Sequence, residues 1–158
     1  MSKNIIVTGG LGFIGSNLIE LLLEKKYKVL NIDKVTYSSN FYNVKNFKAS
    51  KNYKFIRCDI GNTKMRNILF RYKPVCIFNL AAETHVDRSI DNPKNFINSN
   101  IISVYNLLEY FKSFSKKHKS KLIHISTDEV FGDILKGRAS EKSSYRPSSP
   151  YAASKAAS

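Results

Sequence analysis

The chain has 158 residues, about one domain's worth, and 42% of them are hydrophobic, enough to fill a core. Lys+Arg number 26 against 12 Asp+Glu, a formal net charge of +14. The lysines are spread widely, and their dense cluster, Lys112, Lys116, Lys117, His118, Lys119 and Lys121, falls at the end of a predicted helix, where cations suit the dipole. No nucleic-acid motif accompanies them, so the charge reads as a solvated surface and no nucleic-acid partner is expected. No apolar run approaches the roughly 18 residues of a membrane span, and no signal peptide is expected ahead of the first strand. Cys58 and Cys76 lie in apolar sequence and read as core thiols in a reducing, cytoplasmic setting. No His/Cys cluster has metal-ligand spacing, so no metal is expected.

In chain order, strand-like and helix-like segments alternate. This pattern predicts an α/β fold, a doubly wound parallel sheet with helices on both faces. A strand over Asn4–Thr8 runs into the glycines Gly9, Gly10, Gly12 and Gly15, and a helix follows to about Lys26. Gly10, Gly12 and Gly15 fit G-x-G-x-x-G; Gly9, Gly12 and Gly15 fit G-x-x-G-x-x-G. Such glycines permit a tight turn, let a pyrophosphate approach the backbone and let the helix pack closely on the strand. The helix N-terminus then offers free N–H groups to phosphates. A purely structural glycine turn has the same look. The second strand, Lys28–Ile32, ends at Asp33, near the spacing at which a carboxylate receives the adenosine ribose hydroxyls. An acid there repels a 2′-phosphate, which favours NAD over NADP; the alternative is an acid capping a turn.

Residues 37–52 read as a loop with a short helix. A third strand, Tyr53–Cys58, closes at Asp59-Ile60, where an acid can reach an adenine amino group. A helix over Asn62–Tyr72 is stopped by Pro74, and an apolar strand over Val75–Ala81 reads as buried on both faces. It delivers the polar run Ala82–Ser89 to the carboxyl end of the sheet, where open α/β sheets bind ligands. Pro93 begins a long helical stretch to about Ser115, and a fifth strand, Lys121–Ser126, is followed by Thr127, Asp128 and Glu129. Ser149 suits an N-cap and Pro150 the first helical position, which puts Tyr151 and Lys155 on one face of a final helix. Five strands are one fewer than a doubly wound dinucleotide fold has, so residues 1–158 read as a dinucleotide-binding domain that is incomplete at its C-terminal end.

These residues support redox chemistry. A tyrosine titrates near 10, too high for a base at neutral pH, but an ammonium four residues on favours the phenolate. Lys155 is expected to lower Tyr151 so that it can take a proton from a sugar hydroxyl while the carbinol hydride leaves for NAD. Thr127 can hold the same hydroxyl. The adjacent carboxylates Asp128 and Glu129 suit acid/base elimination next to a newly formed ketone, provided one is kept protonated; a turn cap is the alternative.

The runs Thr8–Gly15, Leu80–Ile90, Ser126–Gly132 and Ser148–Ser158 together resemble the dTDP-glucose 4,6-dehydratases, extended short-chain dehydrogenases/reductases of deoxysugar synthesis. The glycine turn and Tyr-x-x-x-Lys are superfamily features; Ala81–Ser89 and Thr127-Asp128-Glu129 are more specific. The resemblance implies that dTDP-glucose is converted to its 4-keto-6-deoxy product on one NAD. Tyr151 would deprotonate the 4-hydroxyl as NAD takes the C4 hydride. Glu129 would take the C5 proton while Asp128 protonates the leaving 6-hydroxyl, and the hydride would return to C6. Thr127, Asp128 and Glu129 would also contact substrate, and Thr84 and His85 would line the sugar pocket, although His85 could instead be a buried structural histidine. Cofactor contacts would come from Gly9, Gly12, Phe13, Ile14, Gly15, Asp33, Lys34, Asp59, Ile60, Leu80, Ala81, Ala82, Tyr151 and Lys155. Asn100 matches a family asparagine. Ser103 and Phe131 stand where glycine and tyrosine are usual, and Ala139, Lys142 and Arg146 mark a loop more basic than usual. The family continues for about another chain length and forms a homodimer through a four-helix interface built from the stretch near Pro93–Ser115 and the tyrosine helix. A different NAD-dependent sugar-nucleotide dehydratase or epimerase, or a non-catalytic NAD-binding module, are the alternative readings.

Overall fold

A computed structural model describes residues 3–158. The chain divides into two compact units, one reaching as far as Ala81 and including Asn106–Ile125, the other comprising Ala82–Tyr105 and Ser126–Ser158.

The first unit holds a five-stranded sheet of β1 (Asn4–Thr8), β2 (Lys28–Asp33), β3 (Tyr53–Arg57), β4 (Cys76–Asn79) and β5 (Lys121–His124). Its order is β3-β2-β1-β4-β5 and every pairing is parallel. β1 is central, and Ile5, Ile6, Val7 and Thr8 are all buried, as a strand covered on both faces requires. α1 (Phe13–Glu24) provides the crossover from β1 to β2 and α2 (Thr63–Tyr72) the one from β3 to β4. Ile19 and Leu22 of α1 pack with Ile5, Val7, Leu11 and Val29, and Val44, Phe47 and Tyr53 complete that core. Asn62 caps α2 by accepting from the Lys64 amide, and Lys73 ends it in the left-handed region at φ 50°, one residue before Pro74.

The second unit contains α3 (Val86–Asp91), α4 (Pro93–Phe96) and α6 (Pro150–Ala157). α4 runs without a break into a π-helical segment, Ile97–Ile102, and then α5 (Ser103–Ser115). The long helical stretch expected from Pro93 is therefore present but contains a π insertion. α3 takes up the second half of the polar run Ala82–Ser89, for which the sequence pattern predicts no element. β4 is shorter than the expected Val75–Ala81 and only alternately buried: Ile77 and Asn79 are buried, Cys76 and Phe78 half-buried. β5 ends at His124, and as an edge strand it leaves Ile123 exposed. Cys58 is buried, Cys76 is half-buried and both are free thiols. No helix among the described residues is long and apolar enough to cross a membrane.

Candidate active site

The glycine turn is built from close approaches that a side chain would block. Gly9 sits at φ +69°, and a Cβ there would lie 2.8 Å from the Ala81 nitrogen and 2.9 Å from the Leu80 carbonyl carbon. A Cβ on Gly15 would lie 2.3 Å from the Gly9 oxygen. Gly10 faces inward, its Cβ direction filled by the Asn31 side chain at 2.2 Å. Gly12 differs: a Cβ there would meet only the Gly9 oxygen, at 3.3 Å. Gly12 also serves as the N-cap of α1, with no side-chain cap and no acid in the first turn, and Phe13 and Ile14 are exposed beyond it. This arrangement suits an anion: uncapped N–H groups at a positive dipole end, with no carboxylate competing for them.

Asp33 closes the same turn. One carboxylate oxygen accepts from the Leu11 amide at 3.1 Å, and the other accepts from the Val35 amide and the Ser39 hydroxyl, both at 2.8 Å. The acid thus does cap a turn. A carboxylate has about four lone-pair sites, so capping is compatible with receiving a ribose hydroxyl as well. Lys34 follows directly, and Val35 is held at φ +63°, an uncommon conformation for a β-branched residue. At the end of β3, Asp59 accepts from the Gly61 amide at 2.8 Å, and Ile60 is buried.

Alongside the turn, the Thr8 hydroxyl donates to Asn79 Oδ1 at 2.6 Å and accepts from the Ala81 amide at 3.2 Å. With its oxygen so engaged, Asn79 presents Nδ2 to His124 Nδ1 at 2.9 Å, which makes that ring nitrogen the acceptor.

In the second unit, Thr127 begins a short 3-10 turn, Asp128–Phe131, and its hydroxyl accepts from the Glu129 amide at 3.3 Å. Thr127 also hydrogen-bonds the Tyr151 phenol, and the charges of Glu129 and Asp128 act on that phenol. Four of the expected groups therefore converge. α6 begins as its sequence predicts: Ser149 accepts from the Ala152 amide at 3.0 Å, and Pro150 takes the first position. Tyr151 and Lys155 are both buried, one turn apart. Burial raises the Tyr151 phenol above its usual 10.0; the Thr127 hydrogen bond lowers it, and Glu129 and Asp128 raise it further. This corrects the expected depression by Lys155. The desolvated phenolate is disfavoured more than its surroundings favour it, and Lys155, itself pushed down by burial, does not offset that. Thr84 and His85 are exposed, so His85 is not a buried structural histidine. Ala82 is half-buried.

Two serines and an asparagine hold this frame. The Ser89 hydroxyl accepts from the Tyr151 amide at 3.0 Å and donates to the Val86 carbonyl at 2.6 Å. Asn100 accepts from the Glu83 amide at 2.8 Å and donates at 2.9 Å both to the Glu83 carbonyl and to the Ser154 hydroxyl. Ser154 in turn donates to the Tyr151 carbonyl at 2.7 Å.

A family model described as GDP-mannose 4,6 dehydratase matches residues 6–158. The chain belongs to that family. A dTDP-glucose 4,6-dehydratase of Haemophilus influenzae is 44% identical over 165 residues, covering 98% of this chain and 49% of the relative. Among solved structures, a dTDP-glucose 4,6-dehydratase of Bacillus anthracis in complex with NAD aligns with a TM-score of 0.86 at 38% identity, over 99% of this chain and 48% of that one. The Streptomyces venezuelae dTDP-glucose 4,6-dehydratase with NAD bound gives 0.90 at 36%, over 98% and 48%. The chain spans about half the length of the curated relatives it matches.

Within this family fold, Ser89, Ser154, Thr8 and Asn79 were not singled out from sequence. The one available signal is polarity at positions that packing buries. Ser89 and Thr8 are fully buried and Asn79 nearly so, which a sequence pattern shows only as interruptions of apolar runs.

Proposed function

We propose that residues 1–158 are the NAD-binding domain of a sugar-nucleotide 4,6-dehydratase that converts dTDP-glucose to dTDP-4-keto-6-deoxyglucose. The reading rests above all on the Tyr151 phenol, hydrogen-bonded to Thr127 and acted on by Asp128 and Glu129 within one unit. A redox base with two carboxylates at hand suits oxidation followed by elimination better than oxidation alone.

In this reading Gly9, Gly12, Phe13, Ile14 and Gly15 hold the pyrophosphate. Asp33 and Lys34 hold the adenosine ribose, and Asp59 and Ile60 hold the adenine. Leu80, Ala81 and Ala82 complete the contacts, with Tyr151 and Lys155 on the nicotinamide ribose. Support comes from the uncapped α1 N-terminus and from the lone-pair capacity left on Asp33. Bound NAD supplies a hydride acceptor and donor and a positive ring charge that favours the phenolate. Thr127 orients the sugar 4-hydroxyl and Tyr151 takes its proton. Glu129 removes the C5 proton, now acidified by the C4 ketone, and Asp128 protonates the 6-hydroxyl as it leaves as water. Thr84 and His85 line the sugar side.

A homodimer through a four-helix interface belongs to the same reading. It is supported by Ile90, Ile97, Ile102 and Tyr105, large apolar side chains left exposed in the second unit. A cytoplasmic setting is supported by the two free thiols.

The test is Tyr151→Phe in the full-length protein. Turnover of dTDP-glucose should fall by about 10³-fold while NAD binding is kept. Wild-type turnover in that variant overturns the assignment.

A further inference from the structure

We infer that Asn106 and Tyr110 are positioning residues for adenine recognition, acting through the Gly61 carbonyl; this rests on the NAD reading above. The turn after β3 is shaped from within. Asp59 Oδ1 accepts from the Gly61 amide at 2.8 Å, and the Asp59 carbonyl accepts from the Asn62 amide at 3.0 Å. From α5, Asn106 Nδ2 and the Tyr110 hydroxyl both donate to the Gly61 carbonyl, at 3.2 and 3.0 Å. The two side chains lie one helical turn apart on the same face, and a carbonyl oxygen has two lone pairs, so one oxygen takes both.

The geometry explains why this reaches Asp59. The peptide unit that offers the Gly61 oxygen to α5 also carries the Asn62 N–H, which bonds to the Asp59 carbonyl. The preceding peptide carries the Gly61 N–H, which bonds to the Asp59 carboxylate. Holding Gly61 therefore fixes both the backbone and the side-chain orientation of the acid that reads the adenine amino group. Without the two donors the turn is held by its internal bonds alone, and the Asp59 carboxylate shifts with a turn that is no longer tied to the helix.

The experiment is calorimetric titration of the full-length protein and its Asn106→Leu/Tyr110→Phe variant with two dinucleotides, NAD and its hypoxanthine analogue. The analogue replaces the adenine amino group with an oxo group and leaves the ribose, pyrophosphate and nicotinamide unchanged. The wild type should prefer NAD, and the variant should lose roughly three- to tenfold of that preference for each hydrogen bond removed. Weaker binding of both dinucleotides with an unchanged ratio means a purely structural tie and overturns the inference. Should the double variant fail to fold, Tyr110→Phe alone is read in the same way, with an unchanged ratio again decisive against it. A wild type that binds neither dinucleotide removes the NAD reading itself. A wild type that binds both equally removes adenine recognition by Asp59, and the clamp's role with it.

Discussion

The glycine turn and the frame around Tyr151 both depend on buried backbone, but they reach their geometry by opposite routes. Around Gly9 and Gly15 the fold leaves side chains out, so that peptide groups approach within distances a Cβ would forbid. Around Tyr151 it adds polar side chains, and Ser89, Asn100 and Ser154 bond to the backbone of the functional segments rather than to one another alone. The first device is intolerant of any addition, the second of any removal. The constraint in the turn is steric, set by how near the peptide groups lie; in the frame it is directional and tied to one arrangement of hydrogen bonds.

Substitutions that exploit this difference should rank in a definite order. Gly15→Ala places a methyl 2.3 Å from the Gly9 oxygen, a backbone atom with no freedom to move away. It should cost about 3 kcal/mol or more, by analogy with overpacked cores, as read by urea unfolding. Its control, Gly12→Ala, meets only one atom at 3.3 Å and should fold with a loss under about 1 kcal/mol while weakening NAD binding. Equal stability losses in the two variants break the distinction between a crowded glycine and an open one. Next comes Asn100→Ala, which removes the buried bonds to the Glu83 N–H and C=O and to Ser154 and should cost about 2 kcal/mol. The unfolding midpoint gives the answer, and a change below 0.5 kcal/mol, roughly the scatter of neutral surface substitutions, refutes the frame.

The smallest effects are electrostatic. Burial raises Tyr72 in the first unit to about 12 and also raises Tyr151 in the second. A folded-state value above the unfolded one means that the stability each contributes is complete below about pH 10 and is lost as pH rises through the folded value. Unfolding midpoints measured from pH 9 to 12 should fall, and Tyr72→Phe should flatten that fall. Thr127→Val removes the one interaction that lowers Tyr151, so its phenolate absorbance, taken as a difference from Tyr151→Phe, should appear at higher pH still. A shift to lower pH reverses the sign and removes the hydrogen bond from the account.

Much of this was legible in the chain because local chemistry and tertiary structure agree. The glycine spacing, the strand ending at Asp33, and Ser149 ahead of Pro150 each specify their geometry within a few residues. The misread parts depend on contacts distant in sequence. Val86–Asp91 has no apolar period, and its helix holds a fully buried serine whose partner is 62 residues away. The π insertion at Ile97–Ile102 contains Asn100, whose bonds to Glu83 and Ser154 no helical pattern announces. The direction of the Tyr151 shift was missed because spacing shows the neighbouring ammonium but not the depth of burial. Opposing charge was visible in sequence; desolvation, the larger cause, was not.

The polar line from Thr8 through Asn79 to His124 joins β1, β4 and β5, strands 71 and 45 residues apart in sequence at those contacts. Apolar strands are interchangeable under a two-residue slide, since valine and isoleucine pack almost as well against a neighbour shifted by one pleat. A hydroxyl, an amide and an imidazole are not interchangeable, because any slide leaves at least one of them buried and unbonded. The line therefore ties the registry of β1, β4 and β5 to polar contacts as well as to packing: a sheet shifted by one pleat keeps its apolar contacts and loses these bonds. The Thr8 hydroxyl at the head of that line also accepts from the Ala81 amide, in the backbone that Gly9 packs against, so the registry of the sheet and the geometry of the glycine turn share one hydrogen-bonded residue.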